Sequence, residues 1–89
     1  MVNNQIILFK FIQTNNNVNW ENISYRYILS ENFILEFQDE VNWYFISIYQ
    51  KLSENFIREF QNNVDWYLIS ANQKLSENFI EEFKDKLND

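Results

Sequence analysis

The chain has 89 residues, a net charge of −6, nine Phe, five Tyr and three Trp, and no Gly, Pro, Cys or His. The missing types exclude a disulfide framework, thiolate and imidazole chemistry, and any glycine-built phosphate loop. The acidic balance disfavours nucleic acid and anionic membrane surfaces, while the aromatic rings bring enough apolar area for one small core rather than a disordered chain.

The first candidate element is QIILFKFI at 5–12. It is too short, and too interrupted by Lys10, to span a bilayer. It also lacks the basic start and cleavage site of a signal peptide. With no Cys elsewhere, a cytoplasmic, reducing setting is expected. Leu8, Phe9, Ile12 and Gln13 match Phe33, Ile34, Phe37 and Gln38 further on. Residues 5–17 therefore read as a degenerate N-terminal capping helix, closed by the loop TNNN.

Three copies of one unit follow, at 18–40, 41–63 and 64–86, and the last two agree at 15 of 23 positions. Periods of this length mark stacked repeats. One continuous helix is excluded by geometry. At about 100° per residue, each period would advance the helix by six turns plus roughly 140°, so Trp20, Trp43 and Trp66 would share no face. The chain must bend inside each unit. A coiled coil fails because the period is not a multiple of seven, and a leucine-rich repeat fails for want of alternation with period two.

Two start signals per unit place the bend. Asp65 and Ser53 occupy N-cap positions, with Val64 and Leu52 before them and Ile69 and Ile57 at the matching staple positions. In the second unit the spacing predicts helix A over 43–50 and helix B over 54–61. The expected fold is all-α: one domain, a short α-solenoid of two-helix units. Val, Trp, Ile, Leu, Phe, Ile and Phe recur as its core. Ile28 and Leu35 replace the later Lys51 and Arg58, so the N-terminal helix is expected to cover them. Ala71 and Asn72 replace Ile48 and Tyr49, so the third unit is expected to end on a polar face.

The consensus V-[DN]-W-x-x-I-S-x-x-Q-x-L-S-E-x-F-I-x-x-F over 18–86 resembles the tandem repeats of uncharacterised proteins encoded by giant DNA viruses of the mimivirus kind and by other AT-rich genomes. The shortage of Gly, Pro and Ala, whose codons are GC-rich, fits that bias. The first unit departs from the pattern, with Tyr27 and Ile28 in place of Gln-Lys. The resemblance implies a viral source, hence host cytoplasm, and a repeat architecture. It attaches no activity and no functional residue to the chain.

Carboxylates are the plentiful reactive groups, in the registers Glu31/Glu54/Glu77 and Glu36/Glu59/Glu82. They recur because the unit recurs, and they fall where helix starts and solvated faces want them. No acid-rich loop suits calcium. Ser24, Ser47 and Ser70 lack an activating base and are expected to bond locally. Gln50 and Gln73 are expected to reach between units. No enzyme activity, cofactor or metal is expected.

What remains is binding. The varying positions fall on helix A, and Tyr44, Phe45, Tyr49, Tyr67 and Leu68 form the candidate surface for a protein partner or for self-association. Of these, Tyr44 and Tyr67 are expected to be exposed, with Ile48 and Tyr49 between units. The runner-up is a small acidic viral or phage antagonist that covers the basic, nucleic-acid-binding surface of a host protein. A shortened piece of a longer array would carry the same sequence signals.

Overall fold

The computed structural model describes residues 4–15 and 17–87, which form eight helices with no strand among them. Asn16 of the expected loop and residues 88–89 of the tail lie outside the described residues. Helix α1 spans Asn4–Thr14. Three pairs follow: α2 (Trp20–Arg26) with α3 (Glu31–Glu36), α4 (Trp43–Tyr49) with α5 (Glu54–Glu59), and α6 (Trp66–Asn72) with α7 (Glu77–Glu82). The short α8 covers Lys84–Leu87. The fold is thus the expected all-α stack of two-helix units, with α2, α4 and α6 as helix A and α3, α5 and α7 as helix B. Its dimensions, 43 × 27 × 18 Å, suit four helical layers set roughly 10 Å apart.

Side-chain caps start every helix of the three pairs. Asn19, Asn42 and Asp65 accept from the N–H of Asn22, Phe45 and Leu68, and Ser30, Ser53 and Ser76 accept from Phe33, Phe56 and Phe79, all at 3.0–3.2 Å. Helices of six or seven residues are marginal alone, so these caps and the packing carry them. With no Gly, no described residue adopts positive φ, and helix A ends instead on an extended residue: Tyr27, Gln50 or Gln73. Helix B is shorter than the spacing predicts. It stops at Phe60, whose N–H bonds to the Phe56 carbonyl. Asn63 and Val64 then both bond back to the Phe60 carbonyl, turning the chain with Gln61 in the bend.

Helix A packs on helix A of the next unit, α2 on α4 and α4 on α6. The core between the rows holds Ile23, Ile46 and Ile69, Leu29 and Leu52, Phe33, Phe56 and Phe79, and Ile34 and Ile57. The tryptophans join it only in part, half-buried at its edge. Each indole packs on the phenylalanines of its own unit rather than under a neighbour: Trp43 lies 5.1 Å from Phe60, and Trp66 lies 5.0 Å from Phe83. The indole N–H of Trp43 and of Trp66 donates backward to the turn carbonyls of Gln38 and Gln61. The rings stay at the edge because that polar atom must meet a turn.

A fixed set of hydrogen bonds joins consecutive units. Gln50 is buried and donates through Nε2 to the carbonyls of Ser24 (2.9 Å) and Tyr27 (2.7 Å), while its Oε1 accepts from Leu29 N (2.9 Å). Gln73 repeats this on Ser47 O, Gln50 O and Leu52 N. Ser24 Oγ accepts from Asn42 N, and Ser47 Oγ from Asp65 N, while each hydroxyl also donates to the tryptophan carbonyl of its own helix. Glu31 accepts from both the N–H and the hydroxyl of Ser53, and Glu54 does the same for Ser76. Buried polar groups demand partners, and here each finds one in the adjoining unit.

The cap does not work as expected. Helix α1 docks, burying Leu8 and setting Phe9 5.6 Å from Phe37, but it covers neither Ile28 nor Leu35. Ile28 is 91% exposed, because α1 meets its backbone: Gln5 Nε2 donates to Ile28 O (2.6 Å), and Gln5 Oε1 accepts from Ser30 N (3.0 Å). Leu35 occupies the register of Arg58, so it faces the second unit, in a cleft with Ser53 and Phe56, and stays exposed. The contacts also shift the expected match by one residue. Gln5 does the work of Glu31, Leu8 that of Ile34, and Phe9 stands where Leu35 and Arg58 stand.

Candidate functional site

The outer side of helix A carries the candidate residues. Tyr44 and Tyr49 are 54% and 56% exposed, and both touch Phe45: Tyr44 edge-on at 5.4 Å, Tyr49 at 6.0 Å. Tyr25, from α2, closes the group at 5.4 Å from Phe45 and 5.9 Å from Tyr49. Four rings from two adjacent helices therefore form one surface cluster. The reason is local. Trp43, Ile46 and Ser47 turn toward the core and the neighbouring units, and Tyr44, Phe45 and Tyr49 fall on the remaining arc.

Tyr67 and Leu68 repeat the register of Tyr44 and Phe45 one unit later. Tyr67 is 75% exposed and Leu68 half-buried. Among the described residues no ring contact joins Tyr67 to the cluster, because Leu68 stands at the register of Phe45, the ring that Tyr44 touches. The structure thus brings Tyr44, Phe45 and Tyr49 together, adds Tyr25, and leaves Tyr67 and Leu68 as an extension of the face. Tyr25 was legible only as a varying position of helix A. Its pairing with Phe45 depends on the packing of α2 against α4, which the sequence does not display.

No protein-family model, curated protein or solved structure matches this chain.

Several of the reactive groups of the sequence have structural duties. Glu31 and Glu54 are bonded to the next unit's serine, and Ser24 and Ser47 to its cap. In the second acidic register, Glu82 takes Arg58 in a two-pronged pair at 2.8 and 2.9 Å. Arg58 also lies 5.6 Å over Phe79 and bonds to Asn55. The hydrogen bond from Arg58 holds the Glu82 carboxyl below the usual carboxylate range, and Glu82 in turn raises the guanidinium. Both side chains are more than a third exposed, so solvent screens the pair. Among the described residues no group of three acidic side chains could hold a metal ion, and no helix is long and apolar enough to cross a membrane. An open groove of about 490 Å³ runs between α1 and α3, lined by Ile6, Phe9, Lys10 and Phe33 among others. It is predominantly apolar.

Chemically, the helix A face offers ring area and phenol hydroxyls. Tyrosines with apolar bodies and wet hydroxyls suit the centre of a protein interface.

Proposed function

We propose that this chain is a non-enzymatic helical repeat module that binds another protein, or a second copy of itself, through the outer face of helix A. The observation that supports the reading is the cluster of Tyr25, Tyr44, Phe45 and Tyr49. Their rings gather at the surface although the core is already filled from the opposite side of the same helices. Exposed apolar patches of this kind on small domains mark interaction sites. The resemblance to giant-virus repeats supports a viral source and a host-cytoplasmic setting.

The test is crosslinking and affinity capture with the wild type and with Tyr44→Ala/Tyr49→Ala/Tyr67→Ala, alongside sedimentation for self-association. Loss of a captured partner, or of a dimer, in a variant with unchanged circular dichroism is the expected result. Identical capture and sedimentation for both proteins overturns the reading. Salt distinguishes the runner-up. An acidic antagonist of a basic surface loses its partner steeply as ionic strength rises, whereas an aromatic interface holds.

A further inference from the structure

We infer that the cleft between α3 and α5 is a guanidinium site, which takes an arginine side chain from a partner polypeptide. The cleft lies on the helix B side. It does not depend on the aromatic face of helix A and goes beyond the function proposed above.

The stack builds the same cleft between α1 and α3, between α3 and α5, and between α5 and α7. Its chemistry is displayed in the last. There the guanidinium of Arg58 lies 5.6 Å from the centre of the Phe79 ring and 6.0 Å from that of Phe83. Its Nε and Nη2 donate to the two carboxylate oxygens of Glu82 at 2.9 and 2.8 Å, and its Nη1 donates to Asn55 Oδ1 at 2.7 Å. Rings beneath, a carboxylate in front and an amide oxygen to the side suit a flat cation whose donors lie in one plane.

Each of those holding groups recurs 23 residues earlier. Phe56, Phe60, Glu59 and Asn32 stand at the registers of Phe79, Phe83, Glu82 and Asn55. The arginine does not recur. Leu35 takes its register, is 44% exposed, and ends at its δ carbons, short of where a guanidinium would begin. An open cleft of about 260 Å³ remains, lined by Asn32, Leu35, Phe56 and Glu59 among others. Among the described residues no cation pairs with Glu59. The cleft between α1 and α3 differs. Phe9 stands at the arginine register there and lays its own ring 5.6 Å from Phe37, while Ile6 replaces the asparagine. The middle cleft therefore keeps the polar acceptors of the last one, with a leucine too short to use them.

The arginine must arrive from outside the stack. Arg58 is committed to Glu82, and Arg26 ends α2 in the helix A row. The middle cleft has a unit on either side, so a unit added at an end of the stack would dock elsewhere. The Arg58–Glu82 pair is itself more than a third exposed, so the corresponding place between α3 and α5 opens to solvent. The methylenes of an incoming arginine would lie on the exposed Leu35, and the acidic chain attracts the cation.

The test titrates the isotope-labelled full-length protein with the acetylated, amidated tripeptide Ala-Arg-Ala at low salt. The expected result is saturable shifting of the Glu59 carboxylate carbon, the Asn32 side-chain amide and the Phe56 ring, while the Glu82 carboxylate stays unmoved. One exposed pair gives weak binding, with a dissociation constant on the order of 1–10 mM. The citrulline peptide, of the same shape without the charge, should give no saturable shift at Glu59. The lysine peptide should bind about threefold more weakly than the arginine peptide, and Glu59→Gln should weaken the arginine peptide about fivefold. Leu35→Arg supplies a second arm. Its guanidinium should take Glu59 as Arg58 takes Glu82, moving the Glu59 carbon without peptide and abolishing the peptide's effect there. Equal shifts with the citrulline peptide, equal shifts at Glu82 and Glu59, or undiminished peptide binding in the Leu35→Arg variant each overturn the proposal. Glu59 shifts that grow with protein concentration alone and vanish in Arg26→Gln would assign the site to a second copy, and the separate partner is then overturned.

Discussion

At the N-terminal end, α1 lays Leu8 into the core, and its Gln5 side chain takes the backbone groups of residues 28 and 30. At the other end, the third unit leaves Ser70, Glu77 and Ile80 in contact with water. The first unit is sealed by a helix that copies the contacts of a repeat without copying its sequence. The third repeats the sequence, and among the described residues no further helix pair packs on it. Sequence identity therefore does not set the environment of a residue in this fold. Position in the stack does, as expected where each unit touches only its neighbours.

The sharpest way to break that comparison is one substitution at two registers. Ile57→Ala should cost about 3–4 kcal/mol, since its side chain has no exposed surface and the cavity would sit between units. Ile80→Ala should cost less than about 1 kcal/mol. Urea unfolding of both variants measures the difference, and equal losses would contradict the open face.

Much of this was readable beforehand. The 23-residue period, the Ser and Asp/Asn caps and the recurring apolar set all act within a few residues of the chain, so they specify helix pairs and most of the core. Glutamine as the tie between units was readable too, because Gln50 and Gln73 recur where a side chain could serve only a neighbour. Three things were not. Gln5 lies in a segment whose register to the repeats is set by docking alone. Ile28 looked like surface needing cover, yet α1 engages its carbonyl. The tryptophans looked like core, yet the indole N–H draws them to the edge. In each case a backbone or ring N–H or C=O decided the outcome, and hydrophobic patterning does not report on those groups.

A second prediction concerns the polar ties. Gln50→Ala should cost about 2–3 kcal/mol, because three backbone groups at a buried interface lose their partner together. Thermal unfolding measures it. Gln5→Ala, at the wetter N-terminal seam, should cost about 1 kcal/mol and speed exchange of the Ser30 amide without disturbing Leu52.

The smallest effect is electrostatic. The Glu82 carboxyl titrates below its ordinary range beside Arg58. Its contribution is therefore fully present above the unfolded carboxylate pKa and is lost as pH falls through the lower folded value. Stability of the wild type relative to Glu82→Gln should shrink over that acidic window and with added salt. A gap unchanged from neutral to acid pH would show the pair to be inert.

Amide hydrogen exchange tests the central claim most directly, because three leucines of one register sit in different surroundings. Leu29 and Leu52 donate to Gln50 and Gln73, whereas among the described residues no glutamine accepts from Leu75 N. The account predicts slow exchange at Leu29 and Leu52 and fast exchange at Leu75. Equal exchange at all three would mean that glutamine ties do not hold the units together.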